Sequence, residues 1–171
     1  MKLTTASSPV LTPAAFQQLY QQHAGQLYGY LIKSLRGDMA EAEGIVQDAF
    51  LKAWEKRKDL RNLEAFKSWL YSIAMNVLKQ RKRKLRPMTM EKMEAVCERP
   101  SPEQHAAANQ ELDRVMVALD TLPDDQREAI LLVRLENMMF REAAVILDVP
   151  ENTVKTRVRR GLLTLAKELN L

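Results

Sequence analysis

Two stretches of this 171-residue chain hold side chains suited to gripping a polyanion. In KQRKRKLR, residues 79–86, Lys79, Arg81, Lys82, Arg83, Lys84 and Arg86 place six positive charges in eight positions. In TVKTRVRR, residues 153–160, Thr153, Lys155, Thr156, Arg157, Arg159 and Arg160 are interleaved with valines. Val154, Val158, Leu162, Leu165 and Leu169 share one narrow helical arc, with Thr156, Arg159 and Arg160 opposite, flanked by Lys155 and Arg157. A helix with one packing face and one cationic face suits the major groove, where arginine addresses guanine edges bidentately and threonine or lysine positions phosphates. Upstream of the first stretch, Trp69 and Asn76 offer an aromatic wall and an amide beside the loop DLRNLEA (residues 59–65), which contains Arg61 and Asn62. Such a set could hold an unstacked base. Trp69 also falls on an apolar stripe, so a core position is the alternative, and a solvated surface run is the alternative for the basic cluster.

Other chemistries lack their residues. No Ser/His/Asp set, Gly-rich phosphate loop or nucleotide fingerprint is present, so an enzyme is not expected. Cys97, His105 and His23 lack the spacing of a zinc site, and no cofactor or small-molecule substrate is expected. A single cysteine excludes an internal disulfide and fits a cytoplasmic address. The longest apolar runs, residues 129–133 and 143–147, fall far short of the roughly 20 residues that span a bilayer.

The elements that must carry these residues read as helices. Phe16, Leu19, Tyr20, Leu27, Tyr28, Leu31, Ile32 and Leu35 recur at helical spacing, ending near Gly37. Ala42, Ile45, Val46, Ala49, Phe50, Ala53 and Trp54 repeat the pattern, and Phe66, Trp69, Leu70, Ile73, Ala74, Val77 and Leu78 repeat it again before the basic tail and Pro87. After a polar stretch marked by Pro87, Pro100 and Pro102, a capping-box start at Ser101 predicts a helix through Leu112, Val115, Met116 and Leu119. Beyond Pro123, Ile130, Leu131, Val133 and Leu135 predict another, followed by a short helix with Ala143, Ala144 and Leu147 facing inward, a turn, and the cationic helix.

The fold class is therefore all-α: a tail (residues 1–14), a three-helix domain (15–86), a flexible linker (87–101) and a helix-turn-helix domain (102–171). Charge follows these divisions. Residues 1–86 hold 15 basic and 7 acidic side chains, 87–121 and 122–151 each hold 3 and 7, and 152–171 hold 5 and 1. Two basic blocks separated by acidic chain are the footprint of a nucleic-acid binder. The fourteen residues from Pro87 to Pro100 could reach about 50 Å, or about fourteen base-pair steps.

Both halves together resemble bacterial RNA polymerase sigma factors of the extracytoplasmic-function group, which keep region 2 and region 4. AEGIVQDAFLKAW (42–54) looks like the segment that docks on the polymerase clamp, and FKSWLYSIAMNVLKQRKRK (66–84) like the segment that opens and reads the −10 element. LPDDQREAILL (122–132) and TVKTRVRRGL (153–162) look like region 4, whose last helix reads the −35 element. The departures are Gly44 where the family has an acid, Met75 where it has arginine, and Gln80 where it has aspartate.

The resemblance implies that Gln47, Asp48, Lys52 and Trp54 face the clamp helices of the β′ subunit, Trp54 being equally a core candidate. It implies that Arg61, Asn62, Trp69, Asn76, Lys79, Arg81, Lys82 and Arg83 serve the −10 element, and Thr153, Lys155, Thr156, Arg157, Arg159 and Arg160 the −35 element. The implied partners are core polymerase, including the flap of its β subunit, promoter DNA and an anti-sigma factor, which where membrane-bound would hold the protein at the inner membrane. A stand-alone dimeric helix-turn-helix regulator is the alternative; it leaves the first three helices without a DNA role.

Overall fold

A computed structural model describes residues 11–85 and 108–170. The expected linker, its capping box, Cys97 and His105 lie outside the described residues. The first unit is built from α1 (Pro13–Ser34), α2 (Met39–Glu55) and α3 (Phe66–Leu85). Thr12 caps α1 by accepting from the Ala15 N–H at 3.2 Å, and Asp38 caps α2 by accepting from Glu41 at 2.9 Å. Leu11 is buried and residues 13–14 are already helical, so the chain is ordered earlier than the tail expected over residues 1–14. Arg36 and Gly37, both at positive φ, turn the chain out of α1. The three apolar stripes meet around Leu27, Leu31, Ile45, Ala49, Phe66, Leu70, Ala74 and Leu78. Two single 3₁₀ turns, Arg57–Asp59 and Leu63–Ala65, fill the connection read as a loop.

The second unit comprises α4 (Ala108–Thr121), α5 (Asp124–Ile130), α6 (Phe140–Leu147) and α7 (Glu151–Leu169). A π-helical turn, Leu131–Leu135, continues α5. Its wider turn shifts the side-chain phase, so Leu135, expected on the apolar stripe, is exposed while Leu131 and Leu132 are buried. Val115, expected on the apolar face of α4, is also exposed. Asp148, in the left-handed region at φ 57°, ends α6 and lets Pro150 start α7 after three residues, giving the helix-turn-helix. Gly161 lets α7 cross α5 closely: a Cβ there would lie 2.5 Å from Ile130 Cδ1.

The halves are not held apart. α6 packs on α3, and the α5 region reaches the C-terminal end of α1. The spread arrangement allowed by linker length is therefore not the arrangement in this structure.

Candidate nucleic-acid interface

At about 100° per residue, Trp69, Ser72, Asn76, Lys79 and Arg83 share one arc of α3, while Arg81 points about 140° away from Asn76. Asn76 and Arg83 are exposed. Trp69 is half-buried, packed against the core with part of its ring left accessible. Its outer edge borders a cleft of about 390 Å³ in which Ser68, Trp69 and Ser72 face Arg141, Glu142 and Val145 of α6. Asn76 does not line this cleft; it lies two turns further along the same arc of α3. Arg61 is exposed, whereas Asn62 caps the 3₁₀ turn after it, accepting from Glu64 N–H at 2.9 Å.

Three cations of the basic tail are engaged within the protein. Lys79 Nζ donates to the Leu147 carbonyl at 3.2 Å, covering the C-terminal end of α6. Lys82 Nζ lies 3.4 Å from Asp124 and 4.0 Å from Glu128. Arg81 turns onto α2, bonding Glu41 at 2.9 Å and Asp48 at 2.6 Å. On α2, Gln47 is exposed, Asp48 and Lys52 are half-exposed, and Lys52 donates to Gln80 Oε1 at 3.2 Å. Trp54 meets Phe16 with ring centres 5.1 Å apart and planes tilted by 60°, and is covered by the Arg57 guanidinium 4.1 Å from its ring centre. Met75 is buried and accepts from the Tyr30 hydroxyl at 3.4 Å.

On α7, Lys155, Thr156, Arg159 and Arg160 are exposed, and Val154, Val158 and Leu165 are buried beneath them. Thr153 is half-buried, and Arg157 leans back to pair with Asp125 of α5 at 3.1 Å. Lys155 pairs with Glu151 one turn earlier at 2.7 Å. The open cationic surface is thus centred on Arg159 and Arg160, with Arg157 held at its margin.

Sequence reasoning missed the polar seam between the halves. Arg127, only 2% exposed, donates to the Ser34 carbonyl at 2.9 Å, to Asp124 at 2.7 Å and to the Leu122 carbonyl at 3.3 Å. Arg36 adds a 3.2 Å pair to Asp124. At the other end, Glu136 accepts from the Tyr71 hydroxyl at 2.8 Å and pairs with Lys67 at 3.0 Å. Burial, then the bond to Glu136, pushes the Tyr71 phenol far above its ordinary value. Burial also raises the Glu128 carboxyl, the facing Lys82 opposing it. At Asp124 burial acts upward too, but Lys82 and Arg127 together outweigh it and hold the carboxyl below its usual range. The acidic block at 122–151 beside a basic tail was the available signal.

No cluster of metal-ligating side chains occurs among the described residues, and no described helix is long and apolar enough to cross a membrane. Comparison with known proteins places both units. The Sigma-70 region 2 family matches residues 19–87 and the Sigma-70, region 4 family residues 112–165. RNA polymerase sigma factor NccH of Alcaligenes xylosoxydans xylosoxydans is 31% identical over 154 residues, 86% of this chain and 82% of that protein. ECF RNA polymerase sigma factor SigW of Bacillus subtilis is 29% identical, over 91% of this chain and 89% of that one. The sigma factor RpoE in complex with the anti-sigma factor NepR, from Bartonella quintana, superposes with a TM-score of 0.73 at 29% identity, covering 91% and 97% of the two chains. CnrH in complex with the cytosolic domain of CnrY gives 0.66 at 26% identity, covering 93% and 90%. Fold and charged faces together define a two-unit transcription-initiation factor. The chain belongs to the sigma-70 family of RNA polymerase sigma factors, in the extracytoplasmic-function group.

Proposed function

We propose that this sigma factor directs promoter-specific initiation by docking α2 on core polymerase, opening the −10 element along the α3 arc and reading the −35 element with α7. It contributes binding and positioning, with no covalent chemistry of its own. Melting is the costly step: DNA stacking is worth roughly 1.4 kcal/mol per step, so opening five steps costs about 7 kcal/mol. An extruded base held at the Trp69 and Asn76 surface, with phosphates neutralised by Lys79, Lys82 and Arg83, offsets part of this, and polymerase supplies the rest. The observation that carries the reading is the α3 arc, where exposed Asn76 lies between the aromatic edge of Trp69 and the exposed Arg83. Since Lys79 and Lys82 are engaged by the second unit, the free protein binds promoters weakly until core polymerase separates the units.

At the −35 element, Arg159 and Arg160 are the main readers, with Lys155 and Thr156 positioning phosphates. The region 4 unit rests on the β flap. RpoE and CnrH were solved with anti-sigma partners, and an anti-sigma factor is proposed as a partner here. The test is reconstituted run-off transcription on promoters varied at each element. Asn76→Ala should flatten base preference at the −10 element only. Arg159→Ala should weaken −35-dependent initiation by about 1 to 3 kcal/mol per lost base contact. Unchanged preferences at both elements overturn the assignment.

A further inference from the structure

We infer that Arg81 is a positioning residue for the polymerase-docking face of α2 and not a phosphate contact of the basic tail. This rests on the reading that α2 docks on polymerase. Glu41, Gly44, Asp48 and Lys52 follow one another along one face of α2. The Arg81 guanidinium lies across that face, with Nη1 on Glu41 Oε2 at 2.9 Å and Nη2 on Asp48 Oδ2 at 2.6 Å. Gly44 is its seat: a Cβ there would come 2.9 Å from Nη1 and 3.1 Å from Nη2, so the guanidinium fills the space a side chain would occupy. One turn further, Lys52 is tied to Gln80 at 3.2 Å, so two consecutive residues of α3 fix three charged side chains of α2. Arg81 is thereby turned away from the arc that holds Asn76 and Arg83.

These pairs are about one-third exposed or more on at least one side, and ion pairs of that kind add little to fold stability. Their effect lies in orientation. An unrestrained carboxylate and ammonium must be ordered when a partner arrives, and that ordering is lost binding free energy. Arg81 and Gln80 order them beforehand. Lysine cannot replace arginine here, because one ammonium lacks the fork that spans two carboxylates.

The experiment compares Arg81→Ala, Arg81→Lys and Arg83→Ala in the intact 171-residue chain. Affinity for core polymerase is measured by fluorescence polarisation, and the salt dependence of promoter binding is measured at saturating core. Arg81→Ala and Arg81→Lys should each lower core affinity by about 10-fold, with the slope of log K against log salt unchanged. Arg83→Ala should leave core affinity unchanged and reduce that slope by about 1. Thermal midpoints near wild type for the Arg81 variants separate lost orientation from lost folding. The inference is overturned if Arg81→Ala reduces the salt slope with core affinity intact, or if Arg81→Lys restores core affinity. Failure of the wild-type protein to bind core polymerase would instead sink the docking assignment of α2.

Discussion

Arg127 ties the two units together, and its replacement by methionine is a quantitative test of that tie. Methionine keeps most of the stem packing and removes the charge. Two bonds of good length are lost, to Ser34 O at 2.9 Å and Asp124 at 2.7 Å, while the 3.3 Å contact to Leu122 counts for little. At about 1.5 kcal/mol each for bonds from a charged donor, their loss costs about 3 kcal/mol. Against this, Arg127 Nε is buried with no partner among the described residues, and removing such a donor returns about 1 kcal/mol. Asp124 keeps Arg36 and Lys82 as partners. The net loss is about 2 kcal/mol, equivalent to a midpoint about 1 M lower in urea for a slope of about 2 kcal/mol/M.

Both tryptophans, Trp54 and Trp69, lie in the first unit. Fluorescence therefore reports unfolding of the half that Arg127 does not belong to. The expected result is a Trp-detected midpoint that falls together with the helical circular-dichroism signal. A Trp transition moved by less than about 0.2 M, with the dichroism transition shifted alone, would refute the claim that the Ser34 contact couples the units.

Two further outcomes follow from the geometry. Gly161→Ala should destabilise the helix-turn-helix unit by about 1 kcal/mol, because overpacking against Ile130 costs about 2 kcal/mol and the helix-propensity gain returns about 1. Adding Ile130→Val, which removes Cδ1, should recover most of that loss in thermal melts, and a simple gain in stability from Gly161→Ala alone would show that the crossing is loose. The second concerns pH. Asp124 has a folded value below its unfolded one, so its stabilising contribution is complete above the unfolded value and disappears as pH falls through the folded value. Glu128 has the opposite sign: its raised value makes the ionised form a cost near neutrality that is relieved on acidification. Melting temperature against pH should show Asp124→Asn less stable and Glu128→Gln more stable than wild type at pH 7, both differences closing in acid. Parallel curves at all pH values would contradict both signs.

The helical stripes were legible because burial imposes a period: Leu27, Leu31, Ile45, Ala49, Leu70 and Leu78 sit in the core where their spacing put them. The exposed face of α7 was legible for the same reason, its valines fixing which side is left for Arg159 and Arg160. Arg127 was not legible, since an arginine in the run DDQRE reads as a solvated helix face, and only the arrival of α1 against α5 buries it. Leu135 was misplaced because a π turn changes the phase without a marker such as glycine or proline. Arg81 and Arg83 are alike as letters in a basic run, and only the bare backbone of Gly44 on the neighbouring helix separates their roles. Asn62 also caps the Leu63–Ala65 turn, a local role that nothing in the letters DLRNLEA announces.

Lys82 serves two masters. In the folded chain it faces Asp124 and Glu128, and in the proposed initiation complex it faces promoter phosphates. Any change that strengthens its grip on one anion strengthens its grip on the other, so tightness on the promoter and latency when alone cannot be adjusted independently at that position. The freedom lies on the opposing helix. Asp124 and Glu128 are where the threshold for activation can be reset while the promoter-facing surface stays as it is.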